Sequence, residues 1–279
     1  MLTIEEVSAT ADLGELTTLL NENRLLGQPP VTDAMVRATL TREVAVDQWY
    51  YEQLVETHIL AVRDQSQRLV GAVAYGDARQ GVRDLLWLAA SEPVVIAALV
   101  DAAFADWNGP SRAFWYASTV SAGLEGLPRQ HRGEVHDVLV SRGFLGRDLW
   151  SYQMLRVTTP NSKCDVGFTK NGVVSDTNGV AVAKYEIAIP YEGLGVLWWI
   201  ETNEDHRGHG HGRVALDEAL STLAAHGATE VILYVDDDER SGERDRRPAK
   251  ALYATAGFRE VDRLWSYSKG DVPPEDSTS

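Results

Sequence analysis

Two similar segments lie at matching places near the ends of the two halves of the chain. One reads VSRGFLGRDLWSYQM, from Val140 to Met154, and the other reads ATAGFREVDRLWSYSK, from Ala254 to Lys269. Both contain Gly-Phe, a short spacer with aspartate and then Leu-Trp-Ser-Tyr, although the spacers differ by one residue. A helix-like stretch precedes each copy. The repeat therefore predicts two related structural units.

The composition between and after the repeats places the domain boundaries. The stretch RVTTPNSK after the first copy is polar and has no apolar periodicity, and the final residues, GDVPPEDSTS, are mostly polar and contain two prolines. We therefore expect a first unit over residues 1–155, a linker over 156–163, a second unit over 164–270 and a disordered tail over 271–279.

Strand-like and helix-like patterns alternate in both halves, which predicts an α/β fold with a mixed, α+β type of sheet in two tandem units. The first half opens with a strand and helices before its sheet strands. The second half begins directly with strands and lacks any counterpart of these opening elements. Within it, Asn171-Gly172 and Asn178-Gly179 each indicate a hairpin turn.

The overall charge of the chain limits its partners. The chain has 279 residues, a formal net charge of −15 and a single cysteine. An acidic surface repels nucleic acid and anionic lipid, so we expect neither nucleic acid nor membrane as a partner. The same charge fits either general solubility or a cationic acceptor. The N-terminal stretch has no signal-peptide pattern, and we expect a cytoplasmic protein.

A glycine-rich loop, DHRGHGHGR, starts at Asp205. A predicted strand at Val196–Thr202 precedes it, and a predicted helix begins at or just after Gly210. Such a junction can bind an anion, because free backbone N–H groups and the helix dipole point at the ligand. The spacing R-x-x-G-x-G matches neither the dinucleotide-binding pattern nor the P-loop pattern. This mismatch argues against a nicotinamide nucleotide or ATP as the ligand.

The same loop contains His206, His209 and His211, which raises the alternative of a metal site. Zinc needs about four converging ligands, commonly with two histidines at i and i+4 on a helix. No pair of these histidines has that spacing, so we expect no metal. We expect instead solvated histidines that add positive charge near phosphates when they are protonated.

Two motifs in the second half resemble those of the GNAT superfamily of acetyl-CoA-dependent N-acetyltransferases. In that family a central strand leads into R/Q-x-x-G-x-G/A, which is matched by Arg207, Gly210 and Gly212. Further along, the family often shows N-x-x-A-x-x-L-Y-x-x-x-G-F. This pattern is matched at Ala249, Leu252, Tyr253, Gly257 and Phe258, with Arg246 in place of the asparagine.

The chain also departs from the family pattern. The usual Val-x-Pro before the arginine is replaced by residues 202–204, Thr-Asn-Glu. In the first half, Ser91, Glu92 and Pro93 stand where the phosphate loop belongs, and Leu139 stands where the second half has Tyr253. A carboxylate at that place opposes a pyrophosphate. We therefore expect the first unit to be a degenerate GNAT-like domain that does not bind CoA.

The resemblance implies transfer of an acetyl group from acetyl-CoA to a primary amine of a small molecule or peptide, by direct attack and without an acyl-enzyme. The alternative is a CoA-binding sensor or interaction protein without catalysis. The resemblance makes Tyr253 the proton donor to the departing thiolate, whereas the alternative for this residue is packing on an amphipathic helix. The implied CoA-binding residues are Thr202, Arg207, Gly208, His209, Gly210, His211, Gly212, Arg213, Arg246 and Lys250.

Two further roles have several candidates. For the general base, Glu201 comes first, because Trp198, Trp199 and Ile200 beside it could raise its pKa by desolvation. Glu186 is the second candidate, and a water-mediated base or a merely solvated Glu201 are the alternatives. For the 3′-phosphate of CoA, the charged loop at 236–250 offers Arg246, Arg247 or Lys250, unless this loop is simply solvated.

Overall fold

A computed structural model of the protein describes residues 2–28, 30–43, 48–115, 124–159, 163–236 and 245–272. Residues 160–162 of the expected linker and residues 273–279 of the expected disordered tail lie outside this described part. Two units are formed, one by residues 1–149 together with 263–279 and the other by residues 150–262. Within the described ranges, no helix is long and apolar enough to cross a membrane.

The first unit contains the expected opening strand and helices, followed by sheet strands. Its strands are β1 (Thr3–Glu6), β2 (Leu54–Arg63), β3 (Leu69–Ala78), β4 (Val82–Ala90), β5 (Ser111–Ala113) and β6 (Leu127–Pro128). Its helices are α1 (Gly14–Glu22), α2 (Asp33–Thr41), α3 (Gln48–Tyr51), α4 (Pro93–Ala103) and α5 (Gly133–Ser141). Thr32 caps α2 by accepting the N–H of Met35 at 3.3 Å, and Pro93 starts α4, where a missing N–H costs nothing.

The second unit begins with sheet strands and places its long helix after the glycine loop. Its strands are β7 (Leu145–Arg156), β8 (Phe168–Ser175), β9 (Ala181–Tyr191), β10 (Leu194–Thr202), β11 (Glu230–Val235) and β12 (Arg259–Lys269), of which β7 and β12 also extend into the first unit. Its helices are α6 (His211–Ala225) and α7 (Arg247–Thr255). The left-handed Gly227, with φ of +93°, follows the end of α6.

Each unit has its own strand order and its own core. The strand order is β1-β2-β3-β4-β5-β12 in the first unit and β7-β11-β10-β9-β8 in the second. Parallel pairing occurs between β4 and β5 and between β10 and β11. In the first unit α4 packs on one side of the sheet, with α1 on β3 and α2 on β2. In the second unit α6 packs on β8, β9 and β10.

The last strand of each half of the sequence completes the sheet of the other half. The β7 strand pairs with β11 of the second unit, from Ser151 opposite Val235 to Arg156 opposite Glu230. The β12 strand pairs with β5 of the first unit, where Tyr267 lies opposite Ala113. The unit boundaries therefore differ from the expected division near residues 155 and 164, because strand pairing joins segments that are far apart in the chain.

One of the two expected hairpin turns is wrong. Asn178-Gly179 lies between β8 and β9, and Gly179 has φ of +81°, as such a turn requires. Asn171-Gly172, however, lies inside β8. A Cβ at Gly172 would lie 2.1 Å from the ring carbon Cζ of Tyr185. Gly172 is therefore explained by the close approach of the tyrosine ring to the strand.

The structure confirms the expected fold class. Both units combine helices with a sheet that contains parallel and antiparallel pairs. In the described part of the second unit, no helix precedes β8, so the opening elements of the first unit have no counterpart there. The α5–β7 and α7–β12 pairs also stand at corresponding places, as the sequence repeat predicts.

Candidate functional site

The candidate site lies where β10 and β11 separate. Their parallel pairing ends with Val196 opposite Ile232, whereas β10 continues to Thr202. On its other side β10 remains paired with β9 up to Thr202. Among the described residues, no strand pairs with the β11-facing edge of β10 after Val196. The backbone N–H and C=O groups on that edge are therefore open to an extended ligand.

Two left-handed glycines shape the loop that connects β10 to α6. Gly208 and Gly210 have φ of +79° and +84°, a conformation that other residues rarely adopt. Gly210 is the N-cap of α6, and no side chain caps the helix. The N–H groups of His211 and Gly212 in the first turn are therefore available to an anion, whereas that of Arg213 donates to the carbonyl of Gly210. A Cβ at either glycine would meet no atom within 4 Å, so the constraint is the backbone conformation rather than space.

Gly212 brings the end of β10 close to the start of α6. A Cβ at Gly212 would lie 3.1 Å from Thr202 Oγ1 and 3.7 Å from a methyl group of Leu252. The carbonyl of Thr202 also accepts a long hydrogen bond from Arg207 Nε at 3.4 Å. The structure thus places Thr202 and Arg207 beside the start of α6, which contains Gly212, and their binding of one common ligand stays a prediction.

The basic side chains expected to bind CoA differ in their ion pairing. Three ion pairs are formed: Arg213–Asp217 at 2.9 Å, Lys250–Glu260 at 3.1 Å and Arg247–Asp245 at 2.6 Å. Hydrogen bonds from Arg247 lower the pKa of Asp245 to about 2. Arg246, the N-cap of α7, has no ion pair within the described ranges. Arg246 is therefore more available to a phosphate than its basic neighbours.

The three loop histidines lie near one another. The ring centroids of His206 and His211 are 6.0 Å apart, and those of His209 and His211 are 6.3 Å apart. Within the part of the chain that the structure describes, no group of three or more His, Cys, Asp or Glu could hold a metal ion. The expectation that these histidines are solvated and bind no metal stays a prediction.

Tyr253 lies in α7 and is only 7% exposed. Its ring meets that of Phe258 edge-on, with the ring centroids 5.9 Å apart. Burial raises the pKa of Tyr253 to about 12, although the nearby Arg246 opposes this rise. The phenol is therefore protonated at neutral pH, which is the state that a proton donor needs.

Glu201 has an electrostatic environment opposite to the expected one. Its carboxylate forms an ion pair with Lys184 Nζ at 2.9 Å and lies 3.5 Å from Trp199 Nε1. The hydrogen bond from Lys184 lowers the pKa of Glu201, and this effect exceeds the opposing effect of desolvation. The side chain is 40% exposed, so the tryptophans do not enclose it. The expected increase in the pKa is wrong, and Glu201 is a weaker base than expected.

Lys184 is not among the residues predicted from the sequence, although the sequence contains a signal for it. The two-residue turn at 192–193 joins β9 to β10 and sets their register. Counting back from that turn places Lys184 opposite Glu201, as in the structure. The same count places Glu186, the second candidate base, opposite Trp199 on β10. Recognising 192–193 as a turn therefore supplies the cross-strand neighbours of both carboxylates.

The junction between β4 and α4 of the first unit has no comparable loop. Only Ser91 and Glu92 lie between β4 and α4. Glu92 is the N-cap of α4, and its side chain makes no capping hydrogen bond. Leu139, at the place of Tyr253, is fully buried. The expected loss of CoA binding in this unit agrees with this arrangement and stays a prediction.

A separate open groove of about 470 Å³ lies between α6 and the strands β8 and β9. Lys170, Tyr185 and Asp217 are among the residues that line it. Asp217 pairs with Arg213, but none of the residues expected to bind CoA lines the groove itself. We therefore assign the site to the loop and the separated strands rather than to this groove.

A family model matches part of the chain, and two solved structures match its fold. The sequence model of the Acetyltransferase (GNAT) family matches residues 161–258. A tandem GNAT protein from the clavulanic acid biosynthesis pathway is 13% identical, with a TM-score of 0.59, and the match covers 99% of this chain and 100% of that one. No curated protein sequence matches closely enough to count as a relative.

A second solved structure has the same architecture. It is a GCN5-related N-acetyltransferase from Sphaerobacter thermophilus, 12% identical, with a TM-score of 0.59. The match covers 99% of this chain and 97% of that one. At such low identities these two structures show the fold, and the family match covers the unit that contains the glycine loop. Residues 161–258 therefore match the GNAT family model, and the chain as a whole has the fold of the tandem GNAT protein.

Proposed function

We propose that the protein transfers the acetyl group of acetyl-CoA to a primary amine by direct attack, without an acyl-enzyme. The start of α6 carries the proposal: a left-handed glycine is its N-cap, no side chain caps it, and β10 has separated from β11 just before it. This arrangement offers backbone N–H groups to a pyrophosphate and a free strand edge to the amides of pantetheine. The GNAT match of residues 161–258 supports the same ligand.

The groups around the loop suit the remaining charge of CoA. Arg207 lies beside the end of β10, and Arg246 has no ion pair among the described residues. Both guanidinium groups can bind phosphate oxygens. The loop histidines add further positive charge when they are protonated. We therefore propose Arg246, rather than the paired Arg247 or Lys250, as the main contact of the 3′-phosphate.

The proposed reaction moves two protons. The amine nitrogen forms a bond to the thioester carbon, and the carbon–sulfur bond breaks. Tyr253 is proposed to donate a proton to the departing thiolate, because burial keeps its phenol neutral. Glu201 has a lowered pKa, which suits holding a cationic amine near the site better than removing its proton. We therefore propose that water carries away the proton of the attacking amine.

A CoA-binding protein without catalysis is the second candidate function. The observation that favours it is the ion pair between Lys184 and Glu201, which makes the first candidate base weaker than expected. Binding of acetyl-CoA needs only the loop and the strand edge. Acetyl transfer additionally needs an amine that loses its proton and a donor for the thiolate.

Two measurements separate these functions. Calorimetry with acetyl-CoA tests binding, and release of free CoA thiol across a panel of amines tests transfer. The proposed transferase binds acetyl-CoA and releases CoA only when a suitable amine is present. Binding with no amine-dependent release across the panel favours the sensor. If acetyl-CoA neither binds nor raises the melting temperature, both candidate functions fail.

A further inference from the structure

The two units contain corresponding strand pairs, β3–β4 and β9–β10, that share a register shift. In the first unit, the register between β3 and β4 shifts just before Trp87, which lies opposite Ala74. In the second unit, the register between β9 and β10 shifts just before Trp199, which lies opposite Glu186. Both shifts follow a leucine and come near the point where the parallel pairing ends. Trp199 is therefore the counterpart of Trp87.

The same correspondence relates a buried apolar face to an exposed charged face. Around Trp87 the first unit has Ala72, Ala74 and Ala89, and all four residues are at most 2% exposed. They alternate along their strands with residues of the core cluster that contains α4, so they belong to the opposite side of the sheet. That side of the first unit is a closed core with no carboxylate among these four positions.

In the second unit the corresponding positions hold Lys184, Glu186, Glu201 and the exposed Trp199. Trp199 is 53% exposed, whereas its counterpart is 1% exposed. Lys184 pairs with Glu201 at 2.9 Å. The side chain of Glu186 is exposed and has no hydrogen-bond or ion-pair partner among the described residues. We call these four residues the acceptor face.

The acceptor face has the chemistry of a cation-binding surface. A large exposed indole attracts a cation over its ring, and an unpaired carboxylate beside it adds direct charge attraction. Two carboxylates against one lysine leave the face with a net negative charge, in a chain whose formal net charge is −15. A single exposed aromatic residue is ordinary on a protein surface. Here the two carboxylates lie beside the exposed Trp199, whereas its counterpart in the first unit, Trp87, is buried in the core.

We infer that the acceptor face selects an acceptor that carries a second positive charge besides the reacting amine. In this arrangement Glu186 binds the second ammonium group, and the methylene chain of the acceptor lies along Trp199. Glu201, two residues further along β10, faces the reacting amine. Glu186 and Glu201 are diagonal neighbours across the strand pair, with Cβ atoms roughly 7 Å apart. A short aliphatic diamine fits this spacing. The inference rests on the proposed function and assigns its acceptor class.

The test compares two amines with the same carbon chain, putrescine and n-butylamine, which differ in one ammonium group. Calorimetry measures the binding of each amine to the protein in the presence of CoA, and thiol release measures acetyl transfer. We expect the wild-type protein to bind putrescine at least about tenfold more tightly than n-butylamine. The ratio of kcat/KM for the two amines should favour putrescine to a similar extent.

Substitutions on the acceptor face should remove this preference. Glu186→Gln and Trp199→Ala should each lower the putrescine to n-butylamine ratio at least about tenfold, mainly through KM, while acetyl-CoA affinity stays within about twofold. Val173→Ala is the matched control. Val173 is 60% exposed on β8 and lies opposite Lys184, but it carries no charge and no aromatic ring. The control should keep the wild-type ratio.

The outcomes separate this inference from the proposed function. If the wild-type protein binds putrescine no more tightly than n-butylamine, or if both substitutions leave the ratio unchanged, the inference is overturned even when acetyl transfer occurs. If putrescine binds through Glu186 and Trp199 but no amine is acetylated, the cation-binding face stands and the transferase assignment fails. If the wild-type protein and Val173→Ala prefer putrescine in acetyl transfer, and Glu186→Gln and Trp199→Ala lose this preference, the result supports both the inference and the proposed function.

Discussion

Tyr253 combines a buried ring with a phenol that stays protonated at neutral pH. If it donates the proton to the departing thiolate, Tyr253→Phe should lower kcat by about a hundredfold while leaving acetyl-CoA affinity almost unchanged. Steady-state kinetics and calorimetry measure the two effects. Tyr185→Phe, at another buried tyrosine of the second unit, is the control and should keep kcat. Equal activity of Tyr253→Phe and the wild-type protein would remove Tyr253 from the reaction.

Lys184 holds the pKa of Glu201 below its ordinary value. Lys184→Met removes the main cause of this shift, so the pKa of Glu201 should rise and the carboxylate should take up a proton at higher pH than in the wild-type protein. An NMR titration of the side-chain carboxyl group measures the change directly. Lys170→Met, which removes a lysine over the ring of Tyr185, is the control and should leave the titration of Glu201 unchanged.

At the scale of single residues, the sequence shows which side chains are near the loop but not how each is paired. Arg207, Gly210 and Tyr253 can be predicted because each belongs to a motif whose residues lie close together in the sequence. The effect of Lys184 on Glu201 depends on the register between β9 and β10. An error of one residue in that register would move a side chain to the other face of the sheet. For the same reason the expected desolvation of Glu201 was wrong: adjacent tryptophans in a strand alternate between faces, and Trp199 is itself exposed.

At the scale of elements, the loop between β10 and α6 depends on the left-handed backbone of Gly210. Gly210→Ala should destabilise the protein by about 1 kcal/mol and weaken acetyl-CoA binding by at least about tenfold, because a Cβ interferes with close approach of a phosphate. Gly179→Ala is a close control. Gly179 also has positive φ and open space around it, but it lies in the turn between β8 and β9.

Gly179→Ala should show a similar loss of stability in urea unfolding and no loss of acetyl-CoA affinity. If both substitutions weaken binding equally, the effect belongs to general stability and the loop is not the phosphate site. Turn and cap signals of this kind predict elements well, because Gly227 and Pro93 act through their own backbone. The signal at Asn171-Gly172 failed because a distant side chain, Tyr185, decides that position.

At the scale of the whole molecule, the two units differ at the junction where the second unit has its glycine loop. The first unit joins β4 to α4 through Ser91 and Glu92, and neither a glycine loop nor an equivalent of Tyr253 is present at that place. We therefore expect calorimetry to give a stoichiometry of one acetyl-CoA per chain. A stoichiometry of two would show that the first unit still binds the ligand and would contradict its assignment as degenerate.

The strand pairing also predicts which unit a substitution in β12 destabilises. Tyr267 of β12 is fully buried in the first unit, where its hydroxyl lies 2.8 Å from His136 Nδ1. Tyr267→Ala should destabilise that unit by about 3–5 kcal/mol. Hydrogen exchange should then accelerate at the amides of β4 and β5 more than at those of β8 and β9. Tyr185→Ala should give the reverse pattern, and faster exchange confined to the second unit in Tyr267→Ala would contradict the pairing.

The repeat predicted two units, but it could not predict that their last strands are exchanged. The two Leu-Trp-Ser-Tyr segments are so similar that either could pair with β5 or with β11, and sequence pattern does not choose between partners. Tertiary contacts decide which segment pairs with which strand, and this pairing also determines where the units begin and end. Cutting the chain near residue 155 would therefore leave each fragment with the other fragment's strand.

Because the two halves exchange strands, the covalent link between them keeps each donated strand close to the sheet that it completes. Two separate proteins that traded a strand would assemble only above a certain concentration, since each would depend on meeting its partner. In one chain the donor strand is always present at a high effective concentration, so the fold does not depend on dilution. A ribosome has to complete β12 before the first unit is whole, and the unit whose synthesis begins first therefore finishes folding only after β12 has emerged.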